Sequence, residues 1–194
     1  MNFIRHGLRN LANFRGRESR SQFWRWAGLV LLLMFLGLGV MMGVQVGRMF
    51  SQLEGYAAEH PEAVTVHRAP GHVAYQVQSP GLELLPDLAS MFVGRGVGLA
   101  MAVGLLAAAV ARRLHDAGVS GLWGLPPLPF LAGGLILFSR MWAAMQRPEE
   151  FPTGLFLAGF LNNLLYLATL ALLIILLIRP SAAGANRFGE PPAV

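Results

Sequence analysis

Three short polar clusters hold the residues of this chain that could do chemistry. The first runs from Phe14 to Trp24 and contains Arg15, Arg17, Glu18 and Arg20; the second is Arg112-Arg113-Leu114-His115-Asp116, followed by Ser120; the third is Asn186-Arg187-Phe188-Gly189. His115 and Ser120 are a base and a hydroxyl that a hydrolase could use. Adjacent side chains on a helix diverge by about 100°, however, so His115 and Asp116 do not form an orienting pair by themselves, and no catalytic residue is expected. A metal site would have only His115, Asp116 and one of Glu18 or Glu190 to draw on, and the chain has no cysteine. No metal and no cofactor is therefore expected.

Arginine is the abundant reagent. A guanidinium recognises carboxylate and phosphate in a fixed bidentate fork. The expectation is a non-enzymatic surface built from Arg17, Arg20, Trp24, Arg112, Arg113, His115, Asp116, Ser120, Asn186 and Arg187 that binds anionic lipid headgroups or a protein partner. Ion pairs within the chain are the plain alternative. Arg112, Arg113 and His115 fall in the last turn of a helix, where each cation complements the dipole by about 0.3 to 1 kcal/mol, and Gly118 is placed to end that helix. Asp116 is on the wrong side of the same dipole and needs a cationic partner: Arg112, four residues back, or an arginine of the first cluster.

The elements that must position these clusters are membrane spans. Of 194 residues, 55% are hydrophobic and only 13% charged, against about 25% charged in a soluble domain, and the mean hydropathy is +0.52. A water-soluble globule is excluded. Apolar blocks run from Trp26 to Val46, Met91 to Ala111, Leu122 to Phe138 and Leu155 to Ile178, each near the roughly 20 residues that cross a bilayer. The expected fold is an all-α integral membrane protein: a four-helix transmembrane bundle with an N-terminal interfacial helix and an extracytoplasmic loop at residues 47–90, possibly containing a β-hairpin. Ile4, Leu8 and Leu11 supply the apolar stripe of the interfacial helix, within a cytoplasmic segment at residues 1–25. Ser19 and Gln22 fit a capping box at the start of the first span. That block is too long for a cleaved signal core, so an uncleaved anchor is expected.

Arginine also sets the orientation. Every one of the 15 basic residues is Arg. Ten lie before Trp26, in the Arg112-Arg113 loop or after Ile178, and four lie in the loops at residues 47–90 and 139–154, which also carry seven of the ten acidic residues. Short arginine-rich loops stay in the cytoplasm, so both termini, including the tail at residues 179–194, are expected there. The pI near 11.0 is explained by this topology, and no nucleic-acid partner is expected.

Other features carry weaker signals. Gly39, Gly43 and Gly47, and Gly94, Gly98 and Ala102, recur every four residues and predict close helix packing; a homo-oligomer or a membrane-protein partner is an open reading. Gly94, Gly96 and Gly98 do not make a nucleotide fingerprint. Val64, Val66, Val73, Tyr75 and Val77 alternate around Pro70-Gly71, as in a hairpin, and His60, His67 and His72 read as exposed loop histidines. Arg95, Asn162 and Asn163 are polar at membrane depth. With Pro126, Pro127 and Pro129 they support the alternative of a small transporter or channel component, or a re-entrant third segment.

The three clusters, in order, resemble the bacterial inner-membrane family catalogued as domain of unknown function 805. Gly16, Arg17, Arg20, Phe23 and Trp24 match its first motif, Arg112 to Asp116 with Ser120 its second, and Asn186, Arg187, Phe188, Gly189 and Pro192 its third. The resemblance implies an integral inner-membrane protein with no established biochemical activity. Members are usually shorter, with a brief connection between the first two helices and a terminal motif soon after the third apolar block.

Overall fold

The computed structural model describes residues 3–62, 64–69, 72–77, 88–145 and 151–192. Helix α1 is Phe3–Arg9, α2 is Arg20–Glu59, α3 is Leu88–Asp116, α4 is Pro127–Met145 and α5 is Thr153–Ile178; strands β1, Val64–Ala69, and β2, His72–Val77, lie between α2 and α3. Among the described residues, four helical segments are long and apolar enough to cross a membrane: Arg20–Glu59, Gly94–Asp116, Gly121–Met145 and Thr153–Ile178. Ile4, Leu32, Leu33, Phe160, Leu161 and Ile175 are among the many large apolar side chains left exposed. Lipid is the solvent such faces require.

The helices differ from the apolar blocks at their ends. α2 starts at Arg20, with Ser19 Oγ accepting from the Gln22 N–H at 3.4 Å, and its 40 residues extend for about 60 Å, twice the hydrocarbon thickness. Nothing after Val46 breaks it, because Gln45 to Glu59 contains no proline and good helix formers such as Met, Gln, Leu and Glu. The third block is displaced toward the C-terminus. A 3-10 turn, Gly121–Gly124, precedes α4, which opens on Pro127. The first helical N–H groups have no intrahelical acceptor anyway, so Pro127 and Pro129 initiate this helix instead of breaking it. α4 then continues through Ser139, whose hydroxyl donates to the Ile136 carbonyl at 2.8 Å. Residues 146–150, which hold Arg147, Glu149 and Glu150 of the expected outer loop, lie outside the described residues, as do Glu83 and Asp87.

The chain divides into two compact units, Met1–Met34 with Gly96–Val194, and Phe35–Arg95. In the first, Phe23, Trp26, Ala27 and Val30 of α2 form a core with Ala102, Ala109 and Leu114 of α3 and with Leu173 and Leu177 of α5. Trp26 Nε1 donates to the Leu105 carbonyl at 3.1 Å, and Gly7 of α1 lies so close to the Trp26 ring that a Cβ would collide with it. Ile4 and Leu8 remain exposed, whereas Leu11 packs against the core.

In the second unit β1 and β2 pair antiparallel, with Val64 opposite Val77 and Ala69 opposite His72. The His60 ring packs on Tyr56, tilted by 45° at 4.6 Å between centroids, and lies 3.6 Å from Glu62; the side chains of His67 and His72 are outside the described residues. The glycine stripe expected to pack helices is only partly occupied. Gly94 sits against Met41, but a Cβ on Gly39, Gly43 or Gly47 would meet nothing within 4 Å.

Candidate functional site

The second polar cluster ends α3. The Val119 N–H donates to Leu114 O at 2.9 Å and the Gly118 N–H to His115 O at 3.0 Å, with Gly118 at φ 76°, so the helix stops in a Schellman turn. Asp116, its last residue, is fully buried. Its Oδ1 lies 3.1 Å from Arg17 Nε and 3.0 Å from Arg17 Nη2, and its Oδ2 accepts from Arg113 Nη1 and, at 2.5 Å, from Ser181 Oγ. An ionised carboxylate has about four acceptor positions. Three hydrogen bonds and a second contact to the Arg17 guanidinium fill them, which is how a carboxylate persists against the dipole of its own helix.

Its partners are therefore Arg17, from the first cluster, and Arg113, three residues back. Arg112 turns the other way. Arg112 Nε and Nη2 donate to Glu18 Oε2 at 2.8 and 2.6 Å, while Nη1 donates to the carbonyls of Asn10, at 2.8 Å, and Asn13. Glu18 is 1% exposed, and its backbone N–H donates to Arg112 O at 3.2 Å.

The remaining guanidinium hydrogens are directed at main-chain carbonyls. Arg113 Nε donates to Leu177 O at 3.0 Å and Nη2 to Arg179 O, capping carbonyls at the end of α5 that have no helical donor. Arg20 Nη1 reaches Ile178 O at 3.4 Å. Arg17 Nη1 donates to Gly184 O at 2.6 Å and Nη2 to Ala182 O at 2.7 Å, holding the tail. Arg17, Arg112 and Arg113 against Asp116 and Glu18 leave a formal excess of one positive charge, which the partial negative charges of the helix C-termini gathered there, those of α3 and α5 among them, offset. The buried cluster is close to electrically balanced, and it ties α1, α2, α3 and α5 together as a clasp.

The third cluster closes over it. Asn186 Nδ2 donates to His115 O at 3.0 Å, and Asn186 Oδ1 accepts from the Phe188 N–H at 2.8 Å. The Asn186 N–H donates to Gly189 O at 3.1 Å and the Gly189 N–H returns to Asn186 O at 2.9 Å, with Gly189 at φ 124°. The Phe188 ring stacks on His115 at 3.8 Å, nearly parallel at 7°, and the Arg187 guanidinium lies 4.6 Å from the Phe188 centroid. His115 Nδ1 is 3.2 Å from Gly16 O. A carbonyl only accepts, so Nδ1 carries the proton and a neutral His115 presents a bare lone pair at Nε2. Ser120 caps the 3-10 turn, its Oγ accepting from the Leu122 N–H at 3.3 Å. Among the described residues His115 and Ser120 make no hydrogen bond to each other.

The structure thus divides the expected surface. Arg17, Arg112, Arg113 and Asp116 are buried and satisfied internally, which corrects their assignment to an outward binding face: every polar atom that would meet a headgroup already has a partner. Arg20, Trp24 and Arg187 are exposed, as are Arg15 and Arg25. Glu18 matters as a counter-ion, a role legible in one acid lying among the three arginines of its cluster. Ser181 and the carbonyls of Leu177 and Arg179 carried no signal in the sequence, because nothing local tells a tail that it will receive a buried guanidinium.

The intramembrane polar residues also separate. Asn162 Nδ2 donates to Phe130 O at 2.8 Å, joining α5 to α4, beside Gly133 and Gly134, where a Cβ would stand 2.7 and 3.3 Å from the Asn162 amide. Asn163 is exposed and Arg95, in the other unit, is half-buried. Among the described residues there is no group of three or more His, Asp or Glu placed to hold a metal ion.

Beneath the clasp an apolar groove of about 730 Å³ lies among α2, α3, α4 and α5. Trp24, Leu31, Val103, Ala107, Leu131 and Leu170 line it, and His115, Ser120 and Phe14 lie at its polar end. Trp24 meets Phe23 edge to face at 5.1 Å.

No curated protein and no solved structure matches the chain. A family model described as protein of unknown function, DUF805, matches residues 11–190, which include all three clusters, and the chain belongs to that family.

Proposed function

We propose that this is a non-enzymatic protein of the bacterial inner membrane, with both termini in the cytoplasm, whose exposed arginines bind anionic lipid headgroups at the cytoplasmic face. One observation carries the reading: the arginines fall into two groups, a buried set matched to carboxylates and carbonyls, and an exposed set, Arg15, Arg20, Arg25 and Arg187, around the same end of the helices. The buried set supports the fold. The exposed set provides the cations that a phosphate would meet, in line with positive-inside orientation.

The test is lipid analysis of the protein gently released from its membrane. Anionic phospholipid is expected to be enriched over its share of the bulk membrane, and the quadruple variant Arg15→Gln/Arg20→Gln/Arg25→Gln/Arg187→Gln is expected to lose that enrichment while staying folded. Equal lipid composition in the protein and the bulk membrane would overturn the reading. Orientation is checked separately: in intact cells an impermeant thiol reagent should label His60→Cys and leave Glu190→Cys unlabelled, and the opposite pattern would invert the topology.

A further inference from the structure

The exposed arginines account for a charged face, but not for the apolar groove that ends beside it. Along α3 the groove wall runs from Leu99 to His115 and along α2 from Phe23 to Met34, which at about 1.5 Å per residue is roughly 24 and 16 Å. One leaflet holds about 15 Å of hydrocarbon, half of the bilayer's roughly 30 Å. The volume of about 730 Å³ falls within the roughly 300 to 1,000 Å³ of small-molecule pockets. A groove this apolar, cut into membrane-crossing helices with one wall about a leaflet long and the other longer, can take a lipid chain.

Apart from the Tyr166 phenol further along α5, its polar lining groups gather at the clasp end. There Ser120 Oγ accepts from Leu122 N–H, and its own hydroxyl proton has no acceptor among the described residues. Arg15 follows Phe14, which lines the groove, and Arg187 lies over Phe188, which stacks on the lining residue His115. A hydroxyl donor is therefore available to an ester carbonyl, and two exposed cations, Arg15 next in the chain to Phe14 and Arg187 joined to His115 through Phe188, are available to a phosphate. We propose that the groove holds one acyl chain of an anionic phospholipid, with the ester at Ser120 and the phosphate at Arg15 and Arg187. The inference rests on the headgroup reading above for its charged half and on the groove for its apolar half, and the two halves can fail separately.

The experiment is native mass spectrometry of the chain in mild detergent, with melting temperature measured in parallel. One phospholipid per chain is expected on the wild type. Ala107→Phe on α3 and Leu131→Trp on α4 each fill the groove and should reduce the retained lipid by about tenfold or more at an unchanged melting temperature; if one fails to fold, the other wall decides. Arg15→Gln/Arg187→Gln should keep one lipid per chain and lose the preference for anionic headgroups. Retention at the wild-type level in folded groove-filled variants would overturn the groove site and leave the arginine reading standing. Loss of lipid from those variants, with headgroup preference unmoved by the arginine changes, would overturn the phosphate assignment. A wild-type dimer that groove filling dissociates would make the groove an interface between copies and also overturn the proposal.

Discussion

At the clasp, three guanidiniums and two carboxylates are almost completely withdrawn from solvent, whereas α4 and α5 are joined by a neutral hydrogen bond from the Asn162 amide to the Phe130 carbonyl. Both regions put polar atoms among apolar helices. They differ in what is left behind when one partner is removed. At the clasp the remainder is a buried charge, while between α4 and α5 it is a carbonyl already engaged in a helix. The size of a polar contribution is thus set less by the bond formed than by the group its loss would strand.

Asp116→Asn gives the largest expected effect. Asparagine keeps the shape, but it removes the negative charge shared by Arg17 and Arg113 and turns an NH₂ toward donors that need an acceptor. Removing one member of a buried ion pair destabilises by about 3 to 5 kcal/mol, and that loss is expected in denaturant unfolding of the detergent-solubilised protein. A loss below about 1 kcal/mol would mean that the clasp behaves as a solvated surface, and the contrast between the two regions would collapse.

Glu18→Gln should come second. Oε2 is held by Arg112, but Oε1 is buried with no hydrogen-bond partner, so the native state already carries an unsatisfied atom that the neutral amide does not worsen. A loss of about 1.5 to 3 kcal/mol is expected, the range for hydrogen bonds to charged groups. Arg112→Gln alone should cost at least as much, since it also frees the Asn10 and Asn13 carbonyls. In the double variant the two losses should fall short of their sum; strict additivity in unfolding would show that the pair is not coupled.

How much of this was legible beforehand depended on the range of the contact. The spans and the Schellman glycine are encoded locally, in apolar runs and in a backbone position at φ 76° that glycine tolerates. That Asp116 must have an arginine partner was also legible, because its own helix dipole opposes it. Which arginine was not. Spacing favours Arg112 and Asp116 as an i, i+4 pair, yet Arg112 is drawn to Glu18 and the end of α1, contacts about a hundred residues away in sequence. The prolines left an alternative open for a related reason: whether proline starts or breaks a helix depends on where the first turn falls, and that was set by the 3-10 turn at Gly121–Gly124. Outward arginines and internal ones look alike in sequence, since burial is a property of the assembled clasp.

The smallest effect is expected between α4 and α5, and it sharpens the comparison most. Interhelical hydrogen bonds in membranes average about 0.6 kcal/mol, so Asn162→Ala should cost little more than its lost packing. Gly133→Ala should be worse, because the new Cβ would stand 2.7 Å from Asn162 Oδ1 and that side chain would have to leave the Phe130 carbonyl. A loss of about 1 to 3 kcal/mol is expected, as for overpacking. Combining the two removes the atom that collides, so Gly133→Ala/Asn162→Ala should be more stable than Gly133→Ala alone. That rescue would show that Asn162 and Gly133 act as a fitted pair whose value is close approach of the helices, with the hydrogen bond secondary. If the double variant is instead less stable than either single one, the Asn162 amide contributes something beyond packing, and the contrast with the clasp is one of degree.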